Sequence, residues 1–228
     1  CLLSRGLGDV YKRQPSRWLA DEVKQSFLKD YPVQVIPNGV DQTIFRPTEN
    51  DLRKKLGLEH SFVILGVANV WERRKGLSYF CGLAKKLPED CKIILIGLNE
   101  KQIRELPEEI IGITRTENAE ELAGYYSMAD VFVNATLEDN FPTTNLEALS
   151  CGTPVITFET GGSPESLDKT CGRVVRKGDA EALLQAILAE RKHPMRKEDC
   201  LTRAAQYEKN DRFMEYAALY HRLWGQGE

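Results

Sequence analysis

Asp139-Asn140-Phe141-Pro142-Thr143-Thr144-Asn145-Leu146-Glu147-Ala148-Leu149-Ser150-Cys151-Gly152-Thr153-Pro154-Val155-Ile156 reads as a polar loop, a helix and a strand in immediate succession. Thr143 and Thr144 open the helix, Gly152 stops it, and an apolar strand begins at Pro154. The spacing places Asp139 in the loop and Glu147 in the helix's first turn. A helix N-terminus presents unpaired N–H groups and a partial positive charge, so it is a natural seat for a phosphate. A carboxylate at Glu147 would then accept hydrogen bonds from hydroxyl groups of the same ligand. Taken alone, the spacing is also that of an ordinary solvated helix capped by Thr143.

Working outward, strands and helices alternate. Phe62 to Ala68, Lys92 to Leu98, Ile110 to Thr114, Val131 to Ala135, Val155 to Phe158 and Gly172 to Val175 are apolar, β-rich runs. Helical spacing marks Leu77 to Leu87, Ala119 to Met128, Thr143 to Ser150, Ala180 to Arg191 and two further segments reaching about Trp224. Strands apolar on both faces and separated by helices imply an α/β fold with a doubly wound, Rossmann-like parallel sheet. Upstream, Ser16 to Leu28 reads as a helix with Trp18, Leu19, Val23 and Phe27 on one apolar face. Val33 to Ile36 reads as a strand. Pro37-Asn38-Gly39 reads as a turn, because Asn and Gly tolerate positive φ.

In such a sheet, ligands bind at the carboxyl ends of the strands where strand order reverses. Counting from Phe62, strands one and four flank that point. The loop after strand one holds Asn69, Val70, Trp71, Glu72, Arg73, Arg74, Lys75 and Gly76, and the loop after strand four holds Asp139 to Thr144. Arg offers a planar fork to phosphate oxygens and Lys a compact charge. Fixed cations at a leaving diphosphate stabilise the charge that develops as the bond breaks.

The same residues resemble a known family. Asp139, seven intervening residues, Glu147 and the following Ala148 to Ile156 are similar to the E-x7-E region of retaining GT-B glycosyltransferases of the group 4 type. Asp139 stands where that family usually has Glu. Ile36-Pro37-Asn38-Gly39-Val40-Asp41, with Phe45 and Pro47, is similar to its interdomain hinge, Lys75-Gly76 to its Lys-Gly pair, and Gly161-Gly162-Ser163-Pro164-Glu165 to its Gly-Gly-x-Pro-Glu segment. The resemblance implies transfer of a hexosyl group from a nucleoside-diphosphate sugar to a hydroxyl acceptor, with retention. It assigns Lys75, Arg74 and Asp139 to catalysis. Donor binding falls to Arg73, Asn140, Phe141, Pro142, Thr143, Thr144, Glu147 and Thr116, and Arg73 and Arg74 compete for the phosphate contact. It implies no metal and no cofactor beyond the donor substrate, and a glycan or lipid-linked saccharide acceptor. It further implies bacterial polysaccharide synthesis in the cytoplasm, with at most peripheral membrane association.

Composition bounds the alternatives. The chain has 228 residues, 42% of them hydrophobic, with a net charge of -3, so no global basic surface for nucleic acid is expected. No apolar run approaches the roughly 20 residues of a membrane span. Six dispersed cysteines read as reduced thiols, and His60, His193 and His221 as structural or solvated. The G-x-G-x-x-G turn of dinucleotide-binding oxidoreductases is absent after strand one. A non-catalytic sugar-nucleotide binding or scaffolding domain is the principal alternative, with an epimerase or phosphorylase on the same fold as a minor one.

The expected organisation has four parts. Residues 1–14 resemble translated sequencing-adaptor sequence and are expected to be non-native. Residues 15–47 are the end of an acceptor domain plus the hinge. Residues 48–208 are the donor-binding domain, the C-terminal half of a GT-B fold. Residues 209–228 are a helix expected to pack toward an absent N-terminal domain, through Phe213, Tyr216, Ala217, Tyr220 and Trp224. A chain so divided is expected to bind a nucleoside diphosphate weakly and to transfer little or nothing by itself.

Overall fold

A computed structural model describes residues 12–224. The chain runs through β1 (Lys12–Gln14), α1 (Arg17–Lys24) and β2 (Val33–Val35), then α2 (Leu52–Lys55), β3 (Phe62–Val67), α3 (Leu77–Ala84), β4 (Cys91–Ile96) and α4 (Glu100–Glu105). It continues through β5 (Ile110–Ile113), α5 (Ala119–Met128), β6 (Val131–Asn134), α6 (Thr143–Ser150), β7 (Val155–Phe158) and β8 (Gly172–Val175). Three helices follow: α7 (Ala180–Lys192), α8 (Lys197–Ala204) and α9 (Lys209–Trp224).

Six strands form one sheet in the order β5-β4-β3-β6-β7-β8, every pair parallel. This is the doubly wound α/β fold that the strand pattern implies. Strand order reverses between β3 and β6, which pair directly, Ile64 opposite Val131. Alternation along the strands splits the core in two. Ile64, Ile93, Val131, Val133 and Phe158 face one layer with Phe80, Leu83 and Leu183. Val63, Leu65, Ile94, Phe132 and Val155 face the other with Tyr126, Ala148 and Leu149. Each such fully buried aliphatic or aromatic side chain contributes roughly 1.5–3 kcal/mol, which is why the sheet needs apolar residues on both faces.

The N-terminal segment differs from several expectations. Lys12–Gln14, set aside above as part of a non-native lead, pair in parallel with Val33–Val35; residues 1–11 of that lead lie outside the described residues. In α1 the buried positions are Ala20 and Val23, while Trp18 is 40% and Phe27 90% exposed. Neither Asn38 nor Gly39 has positive φ. Gly39 is needed instead for close approach, because a Cβ there would lie 2.6 Å from the Lys209 Cα. The segment around Gly39 is held to the start of α9: Val40 N–H donates to Tyr207 (2.8 Å), Lys209 N–H donates back to Val40 (3.0 Å), and Lys209 pairs with Asp41.

The last helix turns toward this segment. Arg222 donates to Gln34 (2.6 Å), and the Arg13 guanidinium lies 4.7 Å from the Tyr216 ring centre. Its anticipated apolar stripe is not buried as a unit, since Phe213 and Tyr220 are exposed while Leu219 is buried. The short α4 escaped the sequence reading, although Asn99 and Gln102 form a reciprocal capping box at its start. Among the described residues no helix is long and apolar enough to cross a membrane.

Candidate functional site

The loops after β3 and β6 meet. Beyond β3 the chain makes one tight helical turn, Arg73–Lys75, that ends at Gly76 with φ +79°. A Cβ at Gly76 would overlap the Ala135 carbonyl oxygen, so glycine serves both the left-handed conformation and the close approach. The Arg74 carbonyl then accepts from the Leu137 N–H (2.7 Å) and the Thr136 hydroxyl (3.3 Å). These bonds fasten the cationic turn to the end of β6. Across them, Lys75 Nζ donates to Asp139 Oδ2 at 2.8 Å, with side chains only 24% and 18% exposed.

A cavity of about 520 Å³ opens at this junction, walled by Asn69, Glu72, Arg74, Lys75, Asn134, Asp139, Phe141, Pro142, Thr143 and Thr144. Arg74 is steadied by Glu72, Nε to Oε2 at 3.0 Å. The start of α6 forms one wall. Pro142 occupies the cap position, and no side chain caps the helix. Thr143 is therefore the first helical residue rather than the cap, and the positive end of the helix dipole faces a cavity that also holds Arg74 and Lys75.

The remaining sequence candidates fall elsewhere. Arg73 lines a different cavity with Trp71, Leu77 and Gln102. Arg73 thus lines the cavity on the other side of the turn, while Arg74 and Lys75 line the one at the β3–β6 junction. Asn140 is exposed and absent from the cavity wall, and its backbone oxygen packs on Gly162. Thr116 follows β5, at the sheet edge two strands from β3, and is likewise absent from the wall.

Glu147 is the fifth residue of α6, a turn deeper than anticipated. Its carboxylate accepts from the Tyr126 hydroxyl at 2.9 Å. Burial raises its pKa, while hydrogen bonds from Tyr126 and Thr143 oppose the rise. Glu147 lies in the same helix as Thr143 and Thr144 but is absent from the cavity wall.

Beneath the cavity lies a polar layer that sequence reasoning missed. Asn134 donates to Asn145 (2.9 Å). Asn145, fully buried, donates to Ser163 (3.1 Å) and Ser166 (3.0 Å), and Ser163 also meets Thr157 (2.8 Å). Buried polar groups persist only when paired, and a paired network holds its members in one geometry. The available signal was an Asn ending the apolar run Val131–Val133. Gly161 and Gly162 have no side chain where the Asp139 and Asn140 carbonyls pass, so this pair buttresses the acidic loop. The Glu165 carboxylate takes a different role: it accepts the N–H groups of Arg17 and Trp18, both at 2.8 Å, at the start of α1.

Comparison with known proteins gives three kinds of likeness. The family model described as "Glycosyl transferases group 1" matches residues 61–190. A D-inositol 3-phosphate glycosyltransferase of Corynebacterium jeikeium is 29% identical, over 65% of this chain and 42% of its own length. Among solved structures, a sucrose-phosphate synthase of Thermosynechococcus elongatus superposes with a TM-score of 0.84 at 24% identity, covering 95% of this chain and 59% of that one. HepE of Anabaena, solved in complex with UDP-glucose, gives 0.78 at 19%, covering 92% of this chain and 63% of that one. The chain spans about two fifths of the length of curated relatives such as the D-inositol 3-phosphate glycosyltransferase.

Proposed function

The chain belongs to the glycosyl transferases group 1 family, and from that premise we propose that it is the donor-binding part of a GT-B enzyme. That enzyme transfers a hexosyl group from a nucleoside-diphosphate sugar to a hydroxyl acceptor with retention. The observation that carries this reading is the Arg74–Lys75 turn and the uncapped start of α6 facing one cavity. A pyrophosphate placed there is met by two cations and by amides of the helix start. Their charge is fixed before bond cleavage, so it stabilises the leaving diphosphate more than the bound donor.

In this reading Lys75 and Arg74 hold the phosphates, Asp139 orients Lys75 and faces the transferred sugar, and Phe141, Pro142, Thr143 and Thr144 shape the donor pocket. Glu147 receives ribose hydroxyls. Arg74 and Lys75 take the place of a metal ion, with no other cofactor. Residues 15–47 and α9 belong to the side of the acceptor domain, which supports a glycan or lipid-linked acceptor bound by a partner half and work at the inner face of a bacterial membrane in polysaccharide synthesis. The exposed Phe27, Phe213 and Tyr220 fit that placement. Transfer by the 228-residue chain alone is expected to be negligible.

The test is calorimetry of this chain with uridine and guanosine diphosphates, with and without excess chelator. One of them is expected to bind, chelator to change nothing, and Lys75→Ala to weaken binding by roughly 10- to 100-fold, the worth of a charge-assisted contact. Unaltered binding in Lys75→Ala would refute the assignment. Restoration of lost binding by manganese would refute metal independence.

A further inference from the structure

A second cavity, of about 810 Å³, shares Phe141 with the candidate site but is otherwise separate from it. Three elements bring arginines to its wall: Arg17 at the start of α1, Arg203 on α8 and Arg212 on α9. Their charges are poorly answered. Arg203 donates to the carbonyls of Ser166 (3.1 Å) and Glu165 (2.7 Å), to the Gln206 amide oxygen (2.8 Å) and to the Tyr207 hydroxyl (2.8 Å), all neutral acceptors. Among the described residues the Arg17 guanidinium makes no hydrogen bond and no ion pair; only its backbone N–H is engaged. Arg212 pairs through Nη1 with Glu215 (2.9 Å), yet its Nε is buried without an acceptor.

The carboxylates on the wall do not compensate. Glu215 is committed to Arg212, and both oxygens of Glu165 accept backbone N–H groups of α1. A buried guanidinium N–H without a partner is costly, and here it stands beside two further cations with no carboxylate of their own. We propose that this cavity is an anion subsite for a phosphate monoester, such as a sugar phosphate, held by Arg17, Arg203 and Arg212. A phosphate monoester carries close to two negative charges at neutral pH and three strong acceptor oxygens. That suits guanidinium groups arriving from three elements better than the two coplanar oxygens of a carboxylate do. Phe141 is the one residue that lines both this cavity and the Lys75 cavity. The subsite does not depend on what the Lys75 cavity holds.

The experiment is titration of the 228-residue chain with glucose 6-phosphate and with inorganic phosphate, followed by calorimetry, with free glucose as the uncharged arm. Binding of at least one phosphate compound is expected, and none of glucose. Arg17→Gln, which leaves the α1 backbone bonds in place, is expected to weaken it roughly tenfold, as is Arg212→Gln. Lys75→Ala is expected to leave the part of that binding that depends on Arg17 in place. Circular dichroism of Arg212→Gln shows whether that variant folds; Arg17→Gln tests the proposal regardless. Absence of phosphate binding, indifference to Arg17→Gln, or loss in Lys75→Ala of all phosphate binding would each overturn it.

Discussion

Gly76 and Glu147 show how single residues set the site. Gly76 has φ +79° and sits against the Ala135 carbonyl. An alanine there meets the strain of a left-handed non-glycine, about 1–3 kcal/mol, and must also push two loops apart. Gly76→Ala is expected to lower the unfolding free energy by at least about 2 kcal/mol in a urea titration and to separate Lys75 from Asp139. Wild-type stability would remove that role. For Glu147 the sign follows from its raised pKa, caused first by burial. The folded protein holds that proton more tightly than the unfolded chain. Its stabilising contribution is full below the ordinary value of 4.5 and is lost as pH rises through the folded value. Glu147→Gln is therefore expected to match wild type near pH 4 and to melt relatively higher at pH 7, while binding nucleoside diphosphate more weakly. A parallel pair of melting curves across that range would contradict this. Tyr126 stays a donor throughout, since burial pushes its pKa well above the ordinary 10.

At the scale of elements, the start of α1 depends on a distant carboxylate. Ser16 caps it locally, accepting from Leu19 N–H (3.2 Å), and Glu165 accepts the next two N–H groups from across the chain. Negative charge at a helix start is favoured by the macrodipole. Glu165→Ala is expected to cost about 1 kcal/mol and to speed amide exchange in α1 while β3 and β6 stay protected. Uniform loss of protection would mean that Glu165 supports the whole fold instead. The α6 helix illustrates the opposite arrangement, a start left without a side-chain cap and placed against cations.

For the whole molecule, the crossing of Val40 and Asp41 with Lys209 joins the N-terminal segment to the start of α9. Asp41 has its pKa lowered from 3.8 to about 2, chiefly by the Lys209 hydrogen bond and then by Thr43. A lowered carboxyl pKa contributes stability that is present above the unfolded value and is lost as pH falls through the folded one. The Val40–Lys209 crossing is thus expected to loosen between about pH 4 and pH 2. Asp41→Asn is expected to flatten the fall in melting temperature over that window. An unchanged slope would show that the link carries no weight.

Much of this was legible in the residues. Val63, Ile64 and Leu65, apolar on consecutive positions, specify a strand buried on both faces, and the helices between such runs impose a parallel sheet. Lys75 and Asp139 could be placed on facing loops because a doubly wound sheet admits one reversal of strand order. What no local pattern could supply was direction. The placing of Arg74 on one cavity wall and Arg73 on another, the partnership of Glu147 with Tyr126, the exposure of Trp18 and the buried Asn134–Asn145–Ser163 layer all follow from which backbone passes close by. Sequence alone determined an α/β sheet and the two loops that flank its reversal, because hydrophobic period and crossover handedness act locally. Tertiary structure decided which side chains face the cavity, because that depends on contacts such as Gly76 on Ala135 between residues far apart in the chain.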